Sequence, residues 1–190
     1  MKKLLLAFIT CIAVSASVSS LSAQVKRKLV WSDEFNYKGL PDSGKWGYDV
    51  GGDGWGNHEL QYYTAKKLSN ARVENGNLVI EAKKETIGKN AYSSARLVTR
   101  GKYDFTYGHI DVRARLPKGV GTWPAIWMLG SATPLKWPDD GEIDIMEHVG
   151  YNQGVIHASA HKKRPPPLCL IAAKLFMCTP LNGTQKALLC

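Results

Sequence analysis

Glu142, Asp144 and Glu147 stand close together in the run Glu142-Ile143-Asp144-Ile145-Met146-Glu147. On a regular β-strand, positions two apart share a face, so Glu142 and Asp144 point the same way. Glu147 is an odd number of residues from both. It joins them only if the strand carries one extra residue, a β-bulge near Ile145 or Met146. Three carboxylates on one face repel each other, a strand would not keep them for stability, and the repulsion raises some of their pKa values. The set suits retaining hydrolysis of a glycosidic bond. One carboxylate attacks the anomeric carbon, and a second, protonated carboxyl donates to the leaving oxygen and later activates water. The middle Asp can share a proton with the nucleophile. Taken alone, the spacing also fits a solvated acidic strand that binds a cation.

The elements that would position these groups read as short strands between turn signals. Asn75-Gly76 marks a hairpin, followed by Leu78, Ile80 and Ala82 alternating with Val79, Glu81 and Lys83. Ile110, Val112, Ala114 and Leu116 alternate with Asp111, Arg113 and Arg115, the period of a half-buried strand, and Pro117-Lys118-Gly119 ends it. Trp123 to Leu129 is nearly all apolar and is expected to be buried on both faces. Ile156, Ala158 and Ala160 alternate with His157, Ser159 and His161. No amphipathic helix stands out after the first residues. Strands at this spacing predict an all-β, antiparallel sandwich.

The chain has 190 residues and a formal net charge of +9. Its Lys and Arg residues are scattered, with no dense block before Lys162, which reads as a solvated basic surface, and no nucleic-acid partner is expected. Lys2, Lys3, the uncharged apolar stretch Leu4 to Val18 and the small residues ending at Ala23 have the layout of a signal peptide over residues 1–23. The stretch is short for a membrane span, so a secreted protein, extracellular or periplasmic and monomeric, is expected. Of the four cysteines, Cys11 falls in that leader, and Cys169, Cys178 and Cys190 lie near the end. This odd, clustered set is no disulfide framework and matches no zinc spacing.

Several segments together carry a resemblance. Gly121-Thr122-Trp123-Pro124-Ala125-Ile126-Trp127-Met128-Leu129 followed by Gly141-Glu142-Ile143-Asp144-Ile145-Met146-Glu147-His148 resembles glycoside hydrolase family 16, in the laminarinase branch that has the bulged motif. Trp31-Ser32-Asp33-Glu34-Phe35, Trp55-Gly56-Asn57-His58-Glu59-Leu60-Gln61-Tyr62-Tyr63 and Ser94-Ala95-Arg96-Leu97 are similar to that branch in the same order. The resemblance implies a concanavalin A-like β-jelly roll of two curved antiparallel sheets with a β-glucan in its concave groove. It implies Glu142 as nucleophile, Asp144 as electrostatic helper and Glu147 as general acid/base of a retaining endo-β-1,3-glucanase that needs no cofactor for catalysis. Trp123 would stack on a sugar ring, with Trp127 left to the core. Asn57 and Arg96 would bond sugar hydroxyls. His148 and His161 are weaker candidates for the groove, and His148 would tune Glu147. Glu34 and the backbone of Gly76 resemble part of a structural calcium site, whose further Asp has no counterpart here. Mixed-linkage glucan and a non-catalytic glucan-binding role are the alternatives; the latter is disfavoured because both glutamates are present.

The resemblance runs from about Leu29 to about His161. After Ala160-His161 come Lys162-Lys163-Arg164, three prolines and an apolar stretch, Leu168 to Cys178, that does not alternate, and no Asp or Glu follows Glu147. The expected organisation is a leader over 1–23, a partial catalytic domain over 24–163, and an aberrant tail over 164–190 such as a shifted reading frame would produce. On that reading the chain by itself folds poorly and has little activity, because unpaired strands leave open sheet edges.

Overall fold

The computed structural model describes residues 27–163 and, as strands only, residues 171–177 and 186–189. The expected leader, the three prolines Pro165, Pro166 and Pro167, and Cys11, Cys169, Cys178 and Cys190 lie outside the described residues. Residues 27–32 are irregular, with Leu29 and Val30 exposed, and belong to a unit separate from Asp33–Cys190.

Every regular element among the described residues is a strand. They are β1 (Gly47–Asp49), β2 (Gln61–Tyr63), β3 (Ala71–Glu74), β4 (Asn77–Glu81), β5 (Lys83–Ile87), β6 (Asn90–Ser94), β7 (Arg96–Val98), β8 (Gly108–Arg115), β9 (Ala125–Leu129), β10 (Glu142–Glu147), β11 (His157–His161), β12 (Ile171–Met177) and β13 (Lys186–Leu189). They pair in the orders β1-β7, β11-β10-β9, β12-β8-β13-β4-β3 and β2-β6-β5. Most pairings are antiparallel, as expected; β2 with β6 and β12 with β8 are parallel.

The β3–β4 hairpin turns on Asn75 and Gly76, at φ 52° and 71°. Both values are positive, as a two-residue I′ turn requires, and Asn-Gly supplies them most readily. The register that follows sets Val73 against Leu78 and Ala71 against Ile80. Phe35, Val73 and Leu78 form a buried cluster, with Tyr37, Trp46, Ile80 and Leu97 packed against it. Asp33 fixes the approach of the preceding segment. Its carboxylate accepts from the Phe35 amide (3.1 Å), the Tyr37 hydroxyl (3.0 Å) and the Trp46 indole (2.8 Å), which gives Asp33 and Phe35 of the motif a structural role.

Two expectations are corrected. The run Trp123 to Leu129 is not buried on both faces: β9 is the edge of its sheet, Ala125 is exposed and the rest of the strand is half-buried. The stretch after Leu168 does contribute strands. Ile171–Met177 runs parallel to β8, and Lys186–Leu189 inserts between β8 and β4. Backbone pairing needs no side-chain alternation, so a non-alternating apolar segment can occupy a sheet position.

Candidate active site

Strand β10 carries the bulge that the odd spacing demands. Against β9, Asp144 pairs with Trp127 and Met146 with Ile126, so Ile145 is the extra residue. Against β11, Asp144 pairs with Ser159 and Glu147 with His157, three residues against two. Directly opposed residues of an antiparallel pair project from the same face. The bulge therefore brings Glu142, Asp144 and Glu147 onto one face, flanked by Trp127 of β9 and by His161, Ser159 and His157 of β11.

Each carboxylate has its own donor. The Trp137 indole donates to Glu142 at 2.5 Å and the Trp123 indole to Glu147 at 3.0 Å. Asp144, 4% exposed, accepts from the Ser159 hydroxyl at 2.7 Å and lies 3.1 Å from His161 Nε2. Ser159 also lies 3.3 Å from Glu147. Burial raises the pKa of Glu142, and the charge and hydrogen bond of Asp144 add to the rise, while the Trp137 bond and His161 pull the other way. Trp137 comes from the 131–141 loop, closed by Gly130 N donating to Gly141 O (3.3 Å) and by the Lys136 amide donating to Asp140 (2.6 Å).

At the Glu147 end, two turns interlock. The Gly150 amide donates to Thr122 O at 2.8 Å, and the His148 amide to Pro124 O at 3.2 Å. A Cβ on Gly150 would lie 1.8 Å from Gly119 O, so only glycine fits between the turns.

A second group of side chains is continuous with the sheet. Arg96 pairs in register with Asp49 across β1–β7, and its Nε lies 3.1 Å from Asp49 Oδ2. Arg100 reaches the same carboxylate at 3.1 Å. The Arg96 guanidinium is sandwiched between the Trp55 and Trp127 rings, 4.5 Å from each centroid, a cation–π arrangement. Trp55 meets Tyr63 edge-on. The Tyr63 hydroxyl donates to Glu59 at 2.7 Å, and Glu59 also accepts from Asn57 (3.3 Å) and Gln61 (2.5 Å). Glu59 thus ties Asn57 to the wall that holds Arg96.

The structure brings together Glu142, Asp144, Glu147, Trp123 and His161, and connects Arg96 and, through Glu59, Asn57 to them. Trp127, assigned to the core from its apolar run, instead faces the carboxylates because it lies opposite Asp144. His148 does not join the site. It is buried, its Nδ1 has no protein partner among the described residues, and no bond to Glu147 is present. Glu34 is exposed and Gly76 is the second turn residue of the β3–β4 hairpin. Calcium takes six to eight oxygens, more than these two positions supply by themselves. Sequence reasoning missed Trp137, Ser159, Asp49 and Glu59. Only the even offset of Ser159 from His157 and His161 on β11 hinted at its place.

Residues 57–166 match the family described as XgeA-like, catalytic GH16 domain. A beta-glucanase of Rhodothermus marinus is 62% identical over 142 residues, 72% of this chain and 49% of its own length. The X-ray structure of the laminarinase from Rhodothermus marinus is 59% identical and superposes with a TM-score of 0.68 over 72% of this chain and 55% of that one. A crystallised non-specific endo-beta-1,3(4)-glucanase from family GH16, bound to a β-glucan oligosaccharide, is 51% identical with a TM-score of 0.69, over 72% of this chain and 56% of its own. The chain spans about half the length of these relatives. Its fold is accordingly the all-β jelly roll, and its bulged carboxylate strand lies within the matched segment: the chain belongs to glycoside hydrolase family 16.

Proposed function

We propose that this domain is a secreted endo-glycosidase that cleaves β-1,3-glucan of the laminarin type with retention of configuration. The observation that carries the reading is the bulged strand, which sets Glu142, Asp144 and Glu147 on one face with a separate donor on each. In this reading Glu142 attacks the anomeric carbon. The Trp137 indole holds it in place. Asp144, steadied by Ser159 and His161, sets the charge state of its neighbours. Glu147 protonates the leaving oxygen, then as a carboxylate draws the proton from the water that releases the glycosyl group. Trp123, half-exposed and bonded to Glu147, offers a ring face to a sugar, and Arg96 and Asn57 offer donors to its hydroxyls. No cofactor enters these steps. The domain acts as a monomer on polysaccharide, without a nucleic-acid or membrane partner, and the Lys2–Ala23 segment directs export.

Laminarin is the favoured substrate because two of the compared relatives are named beta-glucanase and laminarinase. Mixed-linkage glucan is the second reading, favoured by the relative described as a non-specific endo-beta-1,3(4)-glucanase. The test is reducing-sugar release from laminarin and lichenan, with NMR of the first-formed anomer, by a folded form in which the strands expected after His161 are restored. Laminarin hydrolysis with an initial β-anomer is expected of that form, and little release from the chain by itself. An initial α-anomer overturns retention, and a folded, restored form that releases nothing from either glucan overturns the function.

A further inference from the structure

Two indole rings confine the Arg96 guanidinium, with its Cζ 4.5 Å from the Trp55 centroid and 4.5 Å from that of Trp127. Stacking attracts a cation to a ring face but does not set how the cation turns above it. A planar ion in such a slot rotates until a group meets its edge. Asp49 is that group. It lies on β1 directly opposite Arg96 on β7, and opposed residues of an antiparallel pair project from one face. Asp49 Oδ2 is 3.1 Å from Arg96 Nε. The Nε–H is buried and not aligned on that oxygen, so the contact acts by charge and not as a directed bond.

Asp49 is itself held. It is buried, and Arg100 grips it with two nitrogens: Nη1 donates to Oδ1 at 3.1 Å and Nη2 to Oδ2 at 3.3 Å. That two-pronged geometry fixes a carboxylate plane. Support therefore runs from Arg100 to Asp49 to Arg96. The same strand end also anchors one ring, because two residues on, Gly51 O accepts from the Trp55 indole at 3.3 Å and Gly51 pairs with Tyr63. With Arg96 Nε turned to Asp49, Nη1 and Nη2 stand beyond Cζ and are the donors a ligand would meet. We propose that Asp49 is a positioning residue, which sets the rotation of the Arg96 guanidinium between the indoles and so presents Nη1 and Nη2 to a glucan hydroxyl before the glucan binds. Ordering a donor in advance lowers the entropy lost on binding. The glucan in this proposal rests on the function given above; the hold of Asp49 on Arg96 does not. The competing role is plain neutralisation, in which a carboxylate between two arginines relieves their repulsion wherever they point.

A double-mutant cycle in the folded, restored form separates the two. Asp49→Asn keeps the shape and drops the charge. It should raise KM for laminarin roughly 3–10-fold, within the coupling of a contacting pair, and leave kcat near that of the parent. Arg96→Ala should raise KM further, and adding Asp49→Asn to it should change nothing more, because the effect of Asp49 passes through the missing guanidinium. The ¹⁵N–¹H resonance of Arg96 Nε, buried between two rings, should be distinct and slow to exchange in the parent. It should move toward that of an exposed arginine in Asp49→Asn and return part of the way in Asp49→Glu, which restores the charge. If Asp49→Asn does not fold, Arg100→Ala takes its place in the cycle, with a smaller rise in KM that also vanishes beside Arg96→Ala. A rise in KM that is equal with and without Arg96, or an Nε resonance that stays put in the folded variants, overturns the proposal. A parent that releases no sugar, or an Arg96→Ala form with the parent's KM, overturns the glucan reading instead, and the Nε resonance still decides whether Asp49 holds Arg96.

Discussion

The β3–β4 hairpin and strand β10 are built on opposite rules. In the hairpin, pairing is regular from end to end, the turn residues fit their φ values, and Val73 and Leu78 are 1% and 0% exposed. In β10, one extra residue interrupts the ladder on both sides, and a face that burial would fill with apolar groups carries three acids. The hairpin gains stability from contacts that need no particular chemistry. The bulged strand gives up regular pairing and accepts repulsion so that three oxygen-bearing groups align. What is arranged for folding and what is arranged for reaction thus sit on different strands and should fail in different ways when altered.

The largest effect expected is on rate. Glu147→Ala should lower laminarin hydrolysis by about 10²–10⁴-fold with little change in melting temperature. An aryl glycoside with an activated leaving group, which needs no proton from Glu147, should keep its glycosylation step, and azide should rescue turnover to give a β-configured product. Azide rescue of Glu142→Ala with that same product would show the two roles reversed. The converse belongs to the hairpin. Leu78→Ala should cost about 2–5 kcal/mol of stability, as a buried leucine does, and leave kcat of the folded fraction near that of the parent. Trp123, 52% exposed, should behave like β10 and not like the hairpin. Trp123→Ala should weaken glucan binding and cost well below the roughly 3–5 kcal/mol of a core Trp; a large drop in denaturant midpoint with unchanged affinity would move Trp123 to the other class.

The smallest effect expected is a pH-dependent stability. The folded-state pKa of Glu142 is raised, chiefly by burial. The native state therefore holds this proton more tightly than the unfolded chain does. Stability is favoured below the ordinary glutamate value of 4.5 and falls as pH rises through the raised value. Glu142→Gln removes that loss and keeps an acceptor for the Trp137 indole. Its melting temperature should exceed the parent's at neutral pH and coincide with it in acid. Equal melting at both would mean that strand β10 carries no strain of charge.

Features set by neighbours in the chain were legible in the sequence. Asn75-Gly76 announced the hairpin through backbone conformation, and the odd step from Asp144 to Glu147 announced the bulge through parity. Features set by contact between distant segments were not. Trp127 read as core because an apolar run gives no sign that its strand is an edge facing Asp144. Trp137 had no local pattern to mark it and Ser159 only its even offset from His157 and His161, since their importance is the Glu142 or Asp144 oxygen across a loop or a strand pair. Asp49 and Glu59 carried no mark of their own: the β1–β7 register sets one against Arg96, and the other accepts from Tyr63 at the end of β2. The pairing of β12 and β13 was also unforeseen, because backbone ladders accept segments with no alternation of side chains.

The wedge of Gly150 between the 119–122 turn and the end of β10 also bears on how the molecule moves. With no room for a side chain and with amides of Gly150 and His148 both held by the facing segment, neither turn can open without the other. Local opening proceeds in cooperative units whose amides exchange together, so the Gly150 and His148 amides should exchange with solvent at one shared rate. Because Trp123 leaves one turn and Glu147 ends just before the other, that joint opening would also carry apart the backbones that bear the indole and the carboxyl it touches.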